Sequence, residues 1–192
     1  MIHHFTTEMV VEIPCGTNNK YEYDPARRRF RLDRVLPGAQ VYPGEYGYIA
    51  ATLDFDGDPL DAIVLISART FPGCIIDIRV LGTIHMIDEG QIDTKLFGVV
   101  ANDVRFRHLT DIKDVNPDIL SQITDFFSSY KKLQGGRVEI TKIGNAHDAE
   151  TELKSAQNRY QRYQKIIAQN DKQRLMQLLA REQRQLTTNH RR

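Results

Sequence analysis

Cysteine is scarce in this chain of 192 residues: only Cys15 and Cys74 occur, and they form no CxxC pattern. A core of this size stabilises itself without disulfides, so both thiols read as packing residues in a protein of a reducing compartment. Long apolar runs are missing as well, none approaching the roughly 18 residues of a membrane span. Met1 to Val11 carries His3, His4 and Glu8 and has no apolar stretch of the kind a secretory signal requires. These absences lead to the expectation of a cytoplasmic protein without a membrane partner. Walker Gly-Lys-Ser/Thr, GxGxxG, HExxH and GxSxG patterns are absent too, which argues against nucleotide loops, Rossmann cofactors, zinc proteases and serine hydrolases.

What the chain has is charge, unevenly divided. From Thr151 onward there are ten Lys and Arg against three Asp and Glu, leaving sixteen against twenty-two before it. The body is acidic and the tail basic, so a nucleic-acid surface is disfavoured on the body and left open on the tail. Acid is densest from Asp54 to Asp61, where Asp54, Asp56, Asp58 and Asp61 fall within eight residues. Such a cluster calls for cations, and hard oxygen ligands favour magnesium, calcium or manganese over zinc. A calcium EF-hand loop fails, because its Gly position is Pro59 and its Glu position is Leu65. Asp-Gly-Asp-Pro instead reads as a tight turn feeding a strand, Leu60 to Ile66. A solvated acidic loop is the plain alternative.

The remaining elements follow from local pattern. Strands are expected at Val10 to Ile13, Lys20 to Tyr23, Phe30 to Val35, Cys74 to Leu81, Gly82 to Ile87, Leu96 to Ala101 and Val138 to Ile143. Lys20 and Glu22 share one face of their strand, and Phe30, Leu32 and Arg34 share one side of theirs. An Arg on an apolar side must find an anion or a carboxylate. A second acidic turn runs from Asp88 to Lys95. Asn116-Pro117-Asp118 starts a helix whose Ile119, Leu120, Ile123, Phe126, Phe127 and Tyr130 keep a 3.6-residue period. A second helix begins at Asn145 and Asp148. Its stripe of Leu153, Ala156, Tyr160, Tyr163 and Ile167 is interrupted at Asn170-Asp171, and unbroken it would run about 55 Å at 1.5 Å per residue. A break near Asn170 or a contact with a neighbouring subunit is expected, and packing of the stripe on a neighbour is preferred to nucleic-acid binding.

Acids at strand ends beside Lys, Arg and Tyr suit metal-assisted phosphoryl transfer to water, which depends on positioning and charge neutralisation. Here the sequence resembles a known family, the soluble inorganic pyrophosphatases of family I, bacterial type. Asp56-Gly57-Asp58-Pro59-Leu60-Asp61 matches its signature. Glu12-Ile13-Pro14, Lys20-Tyr21-Glu22, Asp33-Arg34, Tyr42-Pro43 with Tyr46-Gly47-Tyr48, Asp88 to Lys95, Ile112 to Val115 and Tyr130-Lys131 match in order, over roughly residues 8 to 150. The resemblance implies an α+β fold with a mainly β core, an OB-like five-stranded barrel with flanking helices; the long C-terminal helical extension is read from the residues alone. It implies hydrolysis of pyrophosphate to two orthophosphates with several magnesium ions.

Residue by residue, the resemblance implies magnesium ligation by Asp56, Asp61 and Asp93, with Glu12 and Asp88 holding further ions. Asp58, also facing the metals, is implied as the base for the attacking water. Lys20, Arg34, Tyr46, Lys95, Tyr130 and Lys131 are implied as the phosphate clamp, with Glu22 orienting it and Tyr42 supporting Asp58 or its neighbours. Three departures stand out. Gly90 comes one place early in its turn, Glu45 adds a charge where a neutral residue is usual, and Ser128-Ser129 replaces the histidines of many subunit contacts. A homo-oligomer is expected, without a fixed subunit number. The expected division is a catalytic domain over 1–150 and a basic helical extension over 151–192, and an inactive scaffold or interaction protein is the alternative function.

Overall fold

The computed structural model describes residues 5–189, with side chains to residue 185; His3 and His4 lie outside the described residues. Eight strands and three α-helices follow in order: β1 (Thr6–Ile13), β2 (Asn19–Asp24), β3 (Arg29–Val35), β4 (Glu45–Tyr48), β5 (Asp61–Leu65), β6 (Ile75–Asp88), β7 (Gln91–Val100), α1 (Pro117–Ser129), β8 (Val138–Gly144), α2 (Ala146–Ala168) and α3 (Lys172–Asn189). The main sheet runs β1-β4-β5-β7-β6-β8, and a further β1–β6 pairing closes β1, β4, β5, β7 and β6 into a ring. β2 and β3 form a separate two-stranded sheet.

Local chemistry accounts for these elements. The run Ala62 to Leu65 is buried on both faces, Ile63 and Leu65 against the α1 side and Ala62 and Val64 against the α2 side. A strand covered twice reads as continuous apolar sequence. Gly47 lies where β1 and β4 cross closely: a Cβ there would stand 2.0 Å from the Val10 carbonyl oxygen. α1 begins at Asn116, whose side chain accepts from the Asp118 N–H, with Pro117 in the first turn. It buries Ile123, Phe126 and Phe127 on the sheet. Asn145 and Asp148 exchange side-chain bonds in a capping box at the start of α2.

Three expectations change. The two strands expected between Cys74 and Ile87 are one 14-residue strand, β6, irregular between Val80 and Gly82. Its first half pairs with β1 and its second with β8, so a single strand serves two neighbours along one edge. Leu32 is half exposed, because the β2–β3 ribbon stands outside the main sheet and its side bearing Leu32 is not a core face. The helical stripe is covered from within the chain: α2 ends at Ala168, Asn170 just beyond it takes the left-handed conformation at φ 55°, and α3 folds back. Tyr160, Tyr163 and Ile167 pack against Leu53, Leu175 and Leu179. Leu153 and Ala156 of α2 belong to the sheet's core.

Candidate active site

The loop before β5 is a compact turn. The Asp54 N–H donates to the Asp58 carbonyl at 2.7 Å, and the Asp58 N–H to Asp56 Oδ1 at 3.0 Å. Gly57 sits at φ 90°, where its lack of a Cβ removes the steric penalty. The turn delivers Asp61 as the first residue of β5, in parallel register with Lys95 of β7. Lys95 Nζ then lies 2.6 Å from Asp61 Oδ2 and 2.5 Å from Asp93 Oδ1. The Tyr46 hydroxyl, from β4, donates to the same Asp61 Oδ2. Burial alone would depress the Lys95 ammonium, yet Asp61, Tyr46 and Asp93 together hold it well above its ordinary value.

Burial raises Asp56, Asp58 and Asp93 above the usual carboxylate range, with Asp61 adding to all three. Glu12 of β1 accepts from the Tyr23 N–H at 2.8 Å and is pushed up to about 7, chiefly by burial and then by Asp61. Tyr46 and Tyr130 are raised for the same first reason, followed by Asp61 for Tyr46 and Asp88 for Tyr130. These groups from β1, β4, β5, β7 and the turn thus act on one another at one end of the ring.

Two further groups face this end. On the β2–β3 ribbon Lys20 pairs with Glu22, and Asp33 Oδ2 accepts from Arg34 at 2.7 Å and Lys20 at 3.5 Å. Beyond α1, Lys131 pairs with Asp88 and lies over the Tyr130 ring, 5.6 Å from its centroid. Arg34 Nε and Asp88 Oδ1 are both buried without a hydrogen-bond partner among the described residues. Both residues act electrostatically on Tyr130, and an unmet donor and an unmet acceptor mark places for an anion and a cation.

The implied metals can be tested against this donor set. All the candidate ligands are carboxylate oxygens, which suits a hard divalent cation, and Asp88 has an oxygen to spare. Among the described residues, however, no three acids converge closely enough to hold an ion as they stand. Lys95 supplies the positive charge between Asp61 and Asp93, so a shared ion requires those side chains to turn from the ammonium. The chemistry fits the ion.

Several placements differ from expectation. Tyr42 is buried and packs on Tyr46 and Phe126, at 5.5 and 4.8 Å between centroids, so it steadies Tyr46. Glu45 is fully buried on the opposite face of β4 from Tyr46 and accepts from the Thr70 N–H and hydroxyl. Its charge serves a loop, and the alternation of β4 keeps it off the acids. The early glycine gives a two-residue β6–β7 turn with Glu89 at φ 50° and Gly90 at φ 86°. Sequence reasoning missed Asp33 as the acceptor shared by two cations, and Arg159. The guanidinium of Arg159 is buried, donates to the Leu53 carbonyl at 2.8 Å, and lies 4.2 Å from the Phe55 ring centroid. A lone Arg beside an apolar stripe was its only signal.

Clustered oxygen donors and cations at the end of a closed β-ring define an anion-binding protein with an OB-like barrel. Residues 9–161 match the family model for inorganic pyrophosphatase. The chain is 47% identical over 156 residues to an inorganic pyrophosphatase of Halalkalibacterium halodurans, covering 81% of this chain and 94% of that one. It is similar to the crystal structure of inorganic pyrophosphatase from Thermus thermophilus, at TM-score 0.79 and 45% identity, over 81% of this chain and 91% of that one. A Helicobacter pylori inorganic pyrophosphatase structure aligns at TM-score 0.78 and 34% identity, over 84% of this chain and 98% of that one. The chain belongs to inorganic pyrophosphatase family I.

Proposed function

We propose that this protein hydrolyses inorganic pyrophosphate to two orthophosphates with magnesium as its cofactor. The observation that carries the reading is the meeting, at one end of the ring, of acids from β1, β5, β7 and the Asp54–Asp58 turn with the Lys95 ammonium and the Tyr46 hydroxyl. Magnesium held by Asp56, Asp61 and Asp93, with further ions at Glu12 and Asp88, would neutralise phosphate charge and make a water more acidic. Asp58 would orient a water and take its proton as the oxygen attacks phosphorus. The bridging P–O bond breaks, and the departing phosphate leaves with the electron pair. Lys20, Arg34, Tyr46, Lys95, Tyr130 and Lys131 hold the phosphate oxygens through charge-assisted hydrogen bonds, and Glu22 fixes Lys20.

Phosphate release from pyrophosphate with magnesium tests the reading. Asp58→Asn and Asp93→Asn are each expected to lower the rate by about 100-fold or more. An inert intact protein, or full activity in both variants, overturns it.

The catalytic body extends over roughly 1–150 and the helical extension over 151–192 in this reading, and the protein works as a homo-oligomer. Exposed apolar side chains such as Phe71 and Val104, at 66% and 73% exposure, support association, which native mass measures. A cytoplasmic location is supported by two free thiols. No helix among the described residues is long and apolar enough to cross a membrane.

A further inference from the structure

The turn carrying Asp56 and Asp58 is not held by the barrel alone. On one side α2 grips it: the Leu53 N–H donates to the Ala156 carbonyl at 3.1 Å, and Arg159 donates to the Leu53 carbonyl. On the other side lies α3, which is beyond the residues matched to the family. Leu175 and Leu179 bury themselves against Leu53, with Phe55 and Met176 packed alongside. The Met176 sulfur is so near Gly57 that a Cβ there would lie 2.8 Å from it. Lys172, the first residue of α3, exerts the strongest charge effect on the Asp58 carboxylate. α3 is itself anchored, since the Asp171 side chain accepts from the Arg174 N–H and Glu182 accepts from Tyr163 and Arg162 of α2.

We propose that α3 is a positioning strap for this turn: its leucines and Met176 fix the backbone from Leu53 to Asp58 and thereby the affinity of the acids for divalent cations. The proposal rests on the magnesium reading for its second consequence only. The turn's own bonds, among them Asp54 N–H to the Asp58 carbonyl and Gly57 N–H to the Asp54 carbonyl, all lie within five residues, and a loop held only by such local bonds opens at low free-energy cost. Leu175, Met176 and Leu179 are positioning residues, since they touch the turn and not the reacting atoms.

The test uses the full chain with Leu179→Ala, Met176→Ala and, as conservative control, Met176→Leu. Two quantities are read: hydrogen exchange of the Asp54 and Gly57 amides without metal, and the magnesium concentration giving half-maximal thermal stabilisation. Removing the contact is expected to speed exchange of those amides by about tenfold and to raise the magnesium midpoint by about three- to tenfold, with Met176→Leu close to the parent. Should Leu179→Ala not fold, Met176→Ala reads the same contact at a half-buried position. Unchanged exchange at Asp54 and Gly57, with α3's own amides exchanging faster, overturns the strap even where hydrolysis is intact. Absence of hydrolysis in the parent overturns the catalytic reading and leaves the exchange result standing.

Discussion

Lys95 shows how one side chain shapes the metal-free site. The residue is 5% exposed, and its ammonium faces Asp61 and Asp93. Removing one partner of a buried ionic group leaves the others uncompensated, at a cost of about 3 kcal/mol. Lys95→Met is therefore expected to lower stability by roughly that amount in urea titrations with EDTA, and magnesium should restore most of it. Gly47 is the steric counterpart. A methyl group 2.0 Å from the Val10 carbonyl oxygen cannot be accommodated without parting β1 from β4, so Gly47→Ala should lower the melting temperature by about 10 °C or more. The candidate residues themselves were legible as acids and cations at strand ends. Which of them touch was not, because the parallel register that sets Asp61 beside Lys95 joins strands separated by all of β6.

At the scale of elements, α1 could be placed closely from its cap, proline and apolar period, since those signals are local. β6 could not: the Gly82 that suggested a boundary is an irregularity inside one strand, required because a Cβ there would lie 2.4 Å from the Gly144 carbonyl oxygen. The hairpin of α2 and α3 was half legible, its break marked by Asn170 and its occupant hidden, since the covering residues Leu53 and Phe55 are a hundred residues upstream. Arg159 joins these layers through Asp54, at 3.5 Å, and Glu152, at 3.0 Å. Arg159→Met is expected to cost about 3 kcal/mol in thermal or urea unfolding, because Asp54 is left buried beside other acids.

For the whole molecule, the raised acids set a pH dependence that metal reverses. Glu12, at about 7, and Asp56, Asp58 and Asp93 bind protons more tightly in the metal-free folded state than in the unfolded chain. The contribution of Glu12 is complete below its ordinary 4.5 and is lost as pH rises through about 7, and that of the aspartates is complete below their ordinary 3.8 and is lost as pH rises above it. In EDTA the melting temperature should fall between about pH 5 and about pH 8, and saturating magnesium should raise it more at the higher pH. A flat EDTA profile with an equal magnesium increment at both values would contradict the burial of these acids.

The closure of the ring by its earliest strand also shapes how the chain is made. β1 leaves the ribosome before the other described strands, yet Thr6 meets Arg79 only after β6 has emerged. A pairing so distant along the polymer delays assembly, and until then the nascent segment carries two unpaired edges. Chaperone dependence should therefore be greatest for ribosome-bound chains that stop short of β6 and should decline once that strand is released.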